Sequence, residues 1–396
     1  MSQKVMSVQG MPQILLTFGL TICSLSILLP ASPAWASYGG ASYLGAGAAN
    51  SVLMAVTVLT QFSVPALTRR FSWRLVLPAG VLLMGLPSLI QALSPALPNI
   101  LATSALRGVG FGIVTVCCSS ALAYLVPSKQ RGRAVGLYGL AAAASQLIFT
   151  PLVPWALDHL GYQLVLASGA VAALATPFAY RLGSLVDAYL AANPQILEPK
   201  QAGRGLSWPV LLGRIWPSLL TLTLVTSAGG ALLTFSTDLA PTPLAASTAL
   251  LLMCALAVPT RLYGGSLTDR WGTRLLMVPS LAVTGLGLLL LAWSLASSQL
   301  LLLLLGSAIL GFGYGFLQSV TMVRALNEAG GPEASQKASV AWNAHFDIGT
   351  GLGALALGAL AQLSSFASAW LLLAALTLVS ALVMGFKDLA AHRAES

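Results

Sequence analysis

Long apolar stretches, each near the length of a membrane crossing, alternate with short polar connections along nearly the whole chain. A helix needs roughly 20 mostly apolar residues to cross about 30 Å of hydrocarbon. Twelve stretches meet that length. Six run over 11–30, 44–67, 75–94, 98–126, 133–156 and 162–181. Six more run over 211–236, 243–266, 274–295, 299–325, 336–362 and 366–386. Gly, Pro and Ser recur inside them, as membrane helices tolerate. The short alternating segments of a membrane barrel do not occur. The pattern predicts an all-α integral membrane protein of twelve transmembrane helices.

Composition agrees and narrows the classes. Hydrophobic residues make up 57% of the 396 and charged ones 7%, against about 25% charged in a soluble domain. A soluble protein would have too little to hydrate its surface, and disorder needs the opposite balance. Cys23, Cys117, Cys118 and Cys254 all fall inside apolar stretches, where they pack as small hydrophobes and form no disulfide framework.

The net charge of +9 is a matter of placement. Cations gather at Arg69, Arg70 and Arg74, at Lys129, Arg131 and Arg133, and at Arg181, Lys200, Arg204 and Arg214. They return at Arg270 and Arg274, at Arg324 and Lys337, and at Lys4, Lys387 and Arg393 near the two ends. The connections between these clusters hold no Lys or Arg, only Asp158, His159 and Asp238. The positive-inside rule then puts both termini and the basic loops in the cytoplasm, which requires an even number of spans. No basic face with interleaved aromatics exists, so nucleic acid is not an expected partner. One competing reading takes Lys4, the first apolar run and Ala34-Trp35-Ala36 as a cleaved signal peptide.

The chain repeats itself. Residues 67–74 read Leu-Thr-Arg-Arg-Phe-Ser-Trp-Arg and 267–274 read Leu-Thr-Asp-Arg-Trp-Gly-Thr-Arg. Gly108, Gly110 and Gly112 recur as Gly311, Gly313 and Gly315. Arg133-Ala134 and Tyr138 recur as Lys337-Ala338 and Trp342. Two six-helix halves of like orientation, 1–181 and 211–396, are therefore expected, joined by a cytoplasmic linker over 182–210. Transporters with midplane sites are often built from such repeats.

These residues resemble the major facilitator superfamily. The signature loop of that family matches Gly265, Asp269, Arg270, Gly272 and Arg274, and its fourth-span motif matches Arg107 with Gly108, Gly110 and Gly112. The segment 131–139 resembles the usual entry to the fifth span. Among subgroups the likeness is to bacterial drug-efflux-type members, which implies the bacterial cytoplasmic (inner) membrane. The resemblance implies that Asp269, Arg270 and Arg274, with Arg70 and Arg74 of the first half, lock the cytoplasmic side in one state. It also implies a coupling role for Arg107. The first half departs from the signature: Arg69 stands at the acidic position and Ser72 at the glycine, and the exporter Gly-Pro of the fifth span is Thr150-Pro151.

A charge at mid-membrane costs about 2.5–3.5 kcal/mol on insertion scales. Arg107 and Asp347 are the two that lie deep in a span. Arg261 and Arg324 lie nearer cytoplasmic ends and are expected to snorkel. A buried carboxylate facing a cavity can load and release a proton near neutral pH, which assigns Asp347 as proton carrier. The alternatives are a helix-packing arginine bonded to backbone carbonyls of neighbouring spans for Arg107, and a structural ion pair or a backbone-bonded carboxylate for Asp347. Asn343, Asp347 and Thr350 share one helix face by their spacing. His345, a residue type suited to proton exchange, is a second candidate for proton coupling, with packing between helices as its alternative, and sits about 200° around the helix from Asp347. Trp342, Phe346, Tyr314 and Phe316, with Gln318 and Gln146, form a candidate apolar pocket with few polar handles.

No histidine has a zinc-ligand spacing and no Gly-rich loop ends in Lys-Ser or Lys-Thr, so no metal, cofactor, ATP use or enzyme activity is expected. The leading reading is a monomeric transporter that exports a small apolar or amphipathic compound in exchange for protons by alternating access. An uptake permease for a polar nutrient and a non-transporting membrane sensor stay open beside it.

Overall fold

Proline and glycine set where the helices begin, break and end. The first helix starts after Gly10, whose φ is 94°, with Pro12 in its first turn. The third apolar stretch is two helices, Trp73–Gly85 and Pro87–Leu93, because Pro87 lacks the N–H that would continue the ladder. The sixth passes from Tyr162–Ser168 through a 3₁₀ stretch, Gly169–Ala175, into Thr176–Ala192. The seventh bends at Phe235, whose φ of −111° and ψ of 16° leave the helical region.

The computed structural model describes residues 8–196 and 206–395. Lys4 and the linker residues Pro199, Lys200, Gly203, Arg204 and Gly205 lie outside them, and the side chains of Lys129, His392 and Arg393 are likewise not described. Among the described residues every regular element is helical. Twelve helices are long and apolar enough to cross a membrane. The first to sixth spans are Met11–Tyr38, Tyr43–Phe71, Trp73–Leu93, Leu97–Leu125, Arg133–Leu160 and Tyr162–Ala192. The seventh to twelfth are Trp208–Leu239, Pro243–Trp271, Thr273–Ser297, Leu300–Ala329, Ala334–Leu363 and Phe366–Asp388. The sixth runs to Ala192, well into the stretch expected as linker.

The chain divides into two compact units, Met1–Ala41 with Val52–Gly203, and Ser42–Ser51 with Arg204–Ser396. Within the first, span 1 packs on span 5, and span 3 packs on spans 4 and 6. Within the second, span 7 packs on span 11, and span 9 on spans 10 and 12. The sequence repeat is thus a repeat of packing. It extends almost to single bonds: the Thr57 hydroxyl donates to Gly108 O at 3.2 Å, and the Thr260 hydroxyl to the O of Phe312, one residue past Gly311, at 3.3 Å. Spans 1 and 7 are the most buried of their units.

The glycine triplets show why the contacts recur. A Cβ on Gly108 or Gly112 would meet the Leu53 and Thr57 carbonyls of span 2, while one on Gly110 would meet span 3 at Gly80 and Met84. In the second unit Gly311 and Gly315 face Met253 and Ala257 of span 8, and Gly313 faces Thr284 of span 9. Alternate glycines of one helix therefore seat two neighbours, the close approach that small residues permit in membranes.

Candidate functional site

The two signature loops share a backbone. Ser72 has φ 64° and ψ 152°, and Gly272 has φ 78° and ψ 153°. Each joins two spans by a single residue. Arg70, Arg74, Asp269, Arg270 and Arg274 are all exposed there, and Gly265 is half-buried one turn before Asp269. In the first unit Asp187 of span 6 reaches this turn. Its two oxygens accept the Trp73 and Arg74 backbone N–H groups, each at 3.0 Å, so a carboxylate caps the N-terminus of span 3 where the helix dipole favours it. Nothing in the local sequence marked Asp187, since its partners lie more than a hundred residues away. A cavity of about 870 Å³ opens beside the turn, lined by Arg69, Arg70, Trp73, Tyr124 and Asp187 among others. Of the expected site residues only Arg70 lines it.

Arg107 lies about ten residues, or roughly 15 Å, into span 4 and is fully buried. Its Nη1 donates to the Ser32 hydroxyl of span 1 at 3.2 Å, while Nε and Nη2 meet no acceptor among the described residues. The described acidic residues of this unit are engaged elsewhere: Asp187 as above, and Asp158 with His159 at 3.4 Å. Arginine does not deprotonate in proteins, so this charge is held in the apolar interior against a neutral hydroxyl. Gln146 of span 5 is half-buried in the same unit.

The second unit gathers more of the expected residues. Asp347 is 6% exposed on span 11, and the Tyr314 hydroxyl of span 10 lies within electrostatic reach of both Asp347 and Arg261. Phe346 stands 6.3 Å from the Tyr314 ring and 5.9 Å from Trp342, between ring centroids. The Tyr314 ring rests on Gly229 of span 7, where a Cβ would collide with it. Thr350, one turn past Asp347, is buried and donates to Phe346 O at 2.9 Å. Gln318, one turn past Tyr314, is buried as well. Its amide has no hydrogen bond of good geometry, although it lies close enough to Tyr314 to interact with the hydroxyl. Phe316 is buried and stacks on Phe312 at 5.4 Å.

Other expected residues bond close by. The Trp342 indole N–H donates to the Thr321 hydroxyl at 3.0 Å, and the ring packs in an apolar cluster with Leu219, Leu222 and Ala325. Asn343 is exposed and His345 half-buried, and each binds a carbonyl of its own helix, Ser339 O and Ala341 O, at 2.8 Å. The polar face of span 11 thus joins exposed Asn343 to buried Asp347 and Thr350.

One arginine corrects the snorkelling expectation. Arg324 is 3% exposed and does not reach out of the protein. It holds Asp388 of span 12 with both Nη groups, at 2.9 and 3.2 Å, and Glu328 with Nε at 2.8 Å. Its i,i+4 spacing to Glu328 is visible in the sequence, but Asp388 is not. Arg261 lies ten residues before the end of span 8, roughly 15 Å inside. Its side chain is exposed at the surface of the protein.

Comparison with known proteins follows the same lines. A family model described as Major Facilitator Superfamily matches residues 14–237 and 215–395. No curated protein matches the chain. Two solved structures of the nucleoside transporter NupG, one of them a point mutant, are similar in fold. The mutant gives a TM-score of 0.71 at 15% identity, covering 95% of this chain and 99% of that one. The other gives 0.70 at 14% identity, covering 95% and 98%.

Proposed function

This chain belongs to the major facilitator superfamily, and on that premise we propose that it exports a small, largely apolar or amphipathic compound in exchange for protons by alternating access. It is a multi-pass membrane transporter and not an enzyme. The observation that carries the coupling is Asp347: a carboxylate almost wholly buried in a membrane-spanning helix, with Tyr314 and, through it, Arg261 in electrostatic reach. A charge so placed is expensive unless it is protonated or paired. A transporter that moves Asp347 between a dry environment and a water-reachable one binds the proton in the first and yields it in the second. Arg107 supplies the fixed charge of the other half. The aromatic group of Tyr314 and Phe346, with the Gln318 amide, suits a mostly apolar cargo with a polar handle. On this reading the protein sits in a bacterial inner membrane with both termini in the cytoplasm, as its basic connections suggest; the signature-loop residues guard that side, the two six-helix halves move against each other, and one chain suffices.

The test is flux in proteoliposomes under an imposed pH gradient, with a panel of amphipathic dyes as cargo. We expect gradient-driven dye movement with stoichiometric proton uptake, and a drop of at least about tenfold in Asp347→Asn, which keeps shape while removing the proton site. Dye exchange without a gradient is expected to survive in that variant. Gradient-driven flux unchanged by Asp347→Asn would remove Asp347 from the mechanism. Gradient-independent uptake of a nucleoside, the cargo of the NupG structures, would replace the export reading with a permease.

A further inference from the structure

We propose that the cavity beside the first signature loop is a binding site for the headgroup of an anionic phospholipid, with Arg69 and Arg70 contacting its phosphate. The cavity, about 870 Å³, lies wholly within the first unit. It flanks Ser72, the single residue between the end of span 2 at Phe71 and the start of span 3 at Trp73. By hydropathy that is the level where hydrocarbon gives way to headgroups.

Its charge is unbalanced toward cations. Arg69 and Arg70 are exposed, and among the described residues neither forms an ion pair. Arg69 is held by one bond from Nε to Pro65 O at 3.0 Å, which leaves its two Nη groups, and the Arg70 guanidinium lies 5.3 Å from the Phe71 ring centre. The one carboxylate in the lining, Asp187, has both oxygens committed to the N–H groups of Trp73 and Arg74. Arginine forks match phosphate oxygens closely.

The chain supplies its own control. The repeat counterpart of Arg69 is Asp269. One half keeps an acidic residue at this position and the other replaces it by a cation, so the excess charge belongs to the first unit and not to loops of this type. The walls fit a lipid better than a soluble anion. Phe71 and Leu75 line the cavity and are themselves 48% and 58% exposed, continuing the apolar outer surface of spans 2 and 3. A free phosphate would have no use for that wall, whereas an acyl chain follows it. Basic pockets between helices at a membrane surface are recurrent anionic-headgroup sites.

Native mass spectrometry of the full chain tests this, with phosphatidylglycerol and phosphatidylcholine of identical acyl chains offered in equal amounts. Retention of phosphatidylglycerol over phosphatidylcholine is expected. Arg69→Gln with Arg70→Gln should lower that retention about tenfold or more, and Arg69→Lys with Arg70→Lys should keep most of it. Arg131→Gln with Arg133→Gln, an equal loss of charge elsewhere in the unit, should change it less than about twofold. Equal retention of both lipids, or equal losses in the two Gln pairs, would overturn the site. Displacement of the lipid by millimolar glycerol phosphate would overturn the lipid assignment in favour of a soluble phosphate. If the Gln pair does not fold, the lipid preference of the native chain and of the Lys pair decides.

Discussion

At Ser72 the backbone takes φ 64° and ψ 152°, almost the angles of its counterpart Gly272. Only glycine occupies that region without strain, and a side chain there costs about 1–3 kcal/mol. A Cβ on Gly272 would meet open space, so its substitution tests conformation alone. Ser72→Gly is expected to stabilise the protein by about 1 kcal/mol, net of the entropy glycine adds to the unfolded chain. Gly272→Ser should destabilise it by a similar amount. Thermal unfolding in detergent reads both, and shifts of the same sign in the two variants would refute the shared strain. The substitution was visible in the repeat, but its strain was not, because a sequence alignment of the halves carries no dihedral angle. Arg107 shows the same limit. Its depth in an apolar run was plain, whereas its single neutral partner, Ser32, lies 75 residues away on another span.

Between elements, the recurrence of the glycine triplets was legible in the sequence. Which neighbour each glycine seats was not, since it depends on how spans 2 and 3 return to span 4, and spans 8 and 9 to span 10. Gly311→Ala would drive a methyl into the Met253 backbone, and no side-chain rotation relieves that overlap. It should cost at least about 1–3 kcal/mol, the usual penalty of overpacking. Gly136→Ala, where a Cβ meets nothing within 4 Å, should be neutral or gain up to about 1 kcal/mol of helix propensity. Unfolding temperatures that fail to separate the two would mean that the contacts at Gly311 yield more easily than packed backbone does. Helix breaks divide in the same way. Pro87 announces the break in span 3, but the bend at Phe235 has neither Pro nor Gly beside it. The ring there packs with Tyr43 and Phe366, 6.5 and 5.2 Å away, contacts that arise only once the helices assemble.

For the molecule as a whole, hydropathy and charge placement gave the span count, and depth within a span singled out Arg107 and Asp347. Depth misled for Arg324, because a partner 64 residues on, Asp388, holds inside the protein a charge that distance from the span end alone would release. Orientation rests on charge alone and makes a sharp prediction. Ser207 precedes span 7 and Ser364 follows span 11, so five crossings lie between them and they must face opposite sides. The connection holding Ser364 has no Lys or Arg, while cations flank the one ending at Ser207, and the positive-inside rule assigns the first to the outside. Single cysteines at these positions, on a background with Cys23, Cys117, Cys118 and Cys254 replaced by Ser, should separate cleanly. In intact cells a membrane-impermeant maleimide should label Ser364→Cys at once and Ser207→Cys only after permeabilisation. Labelling of both from one side would break the span count itself. Labelling in the reverse order would keep the fold and invert its placement, which would put the Arg69 and Arg70 cavity in the outer leaflet and turn the proposed direction of export around.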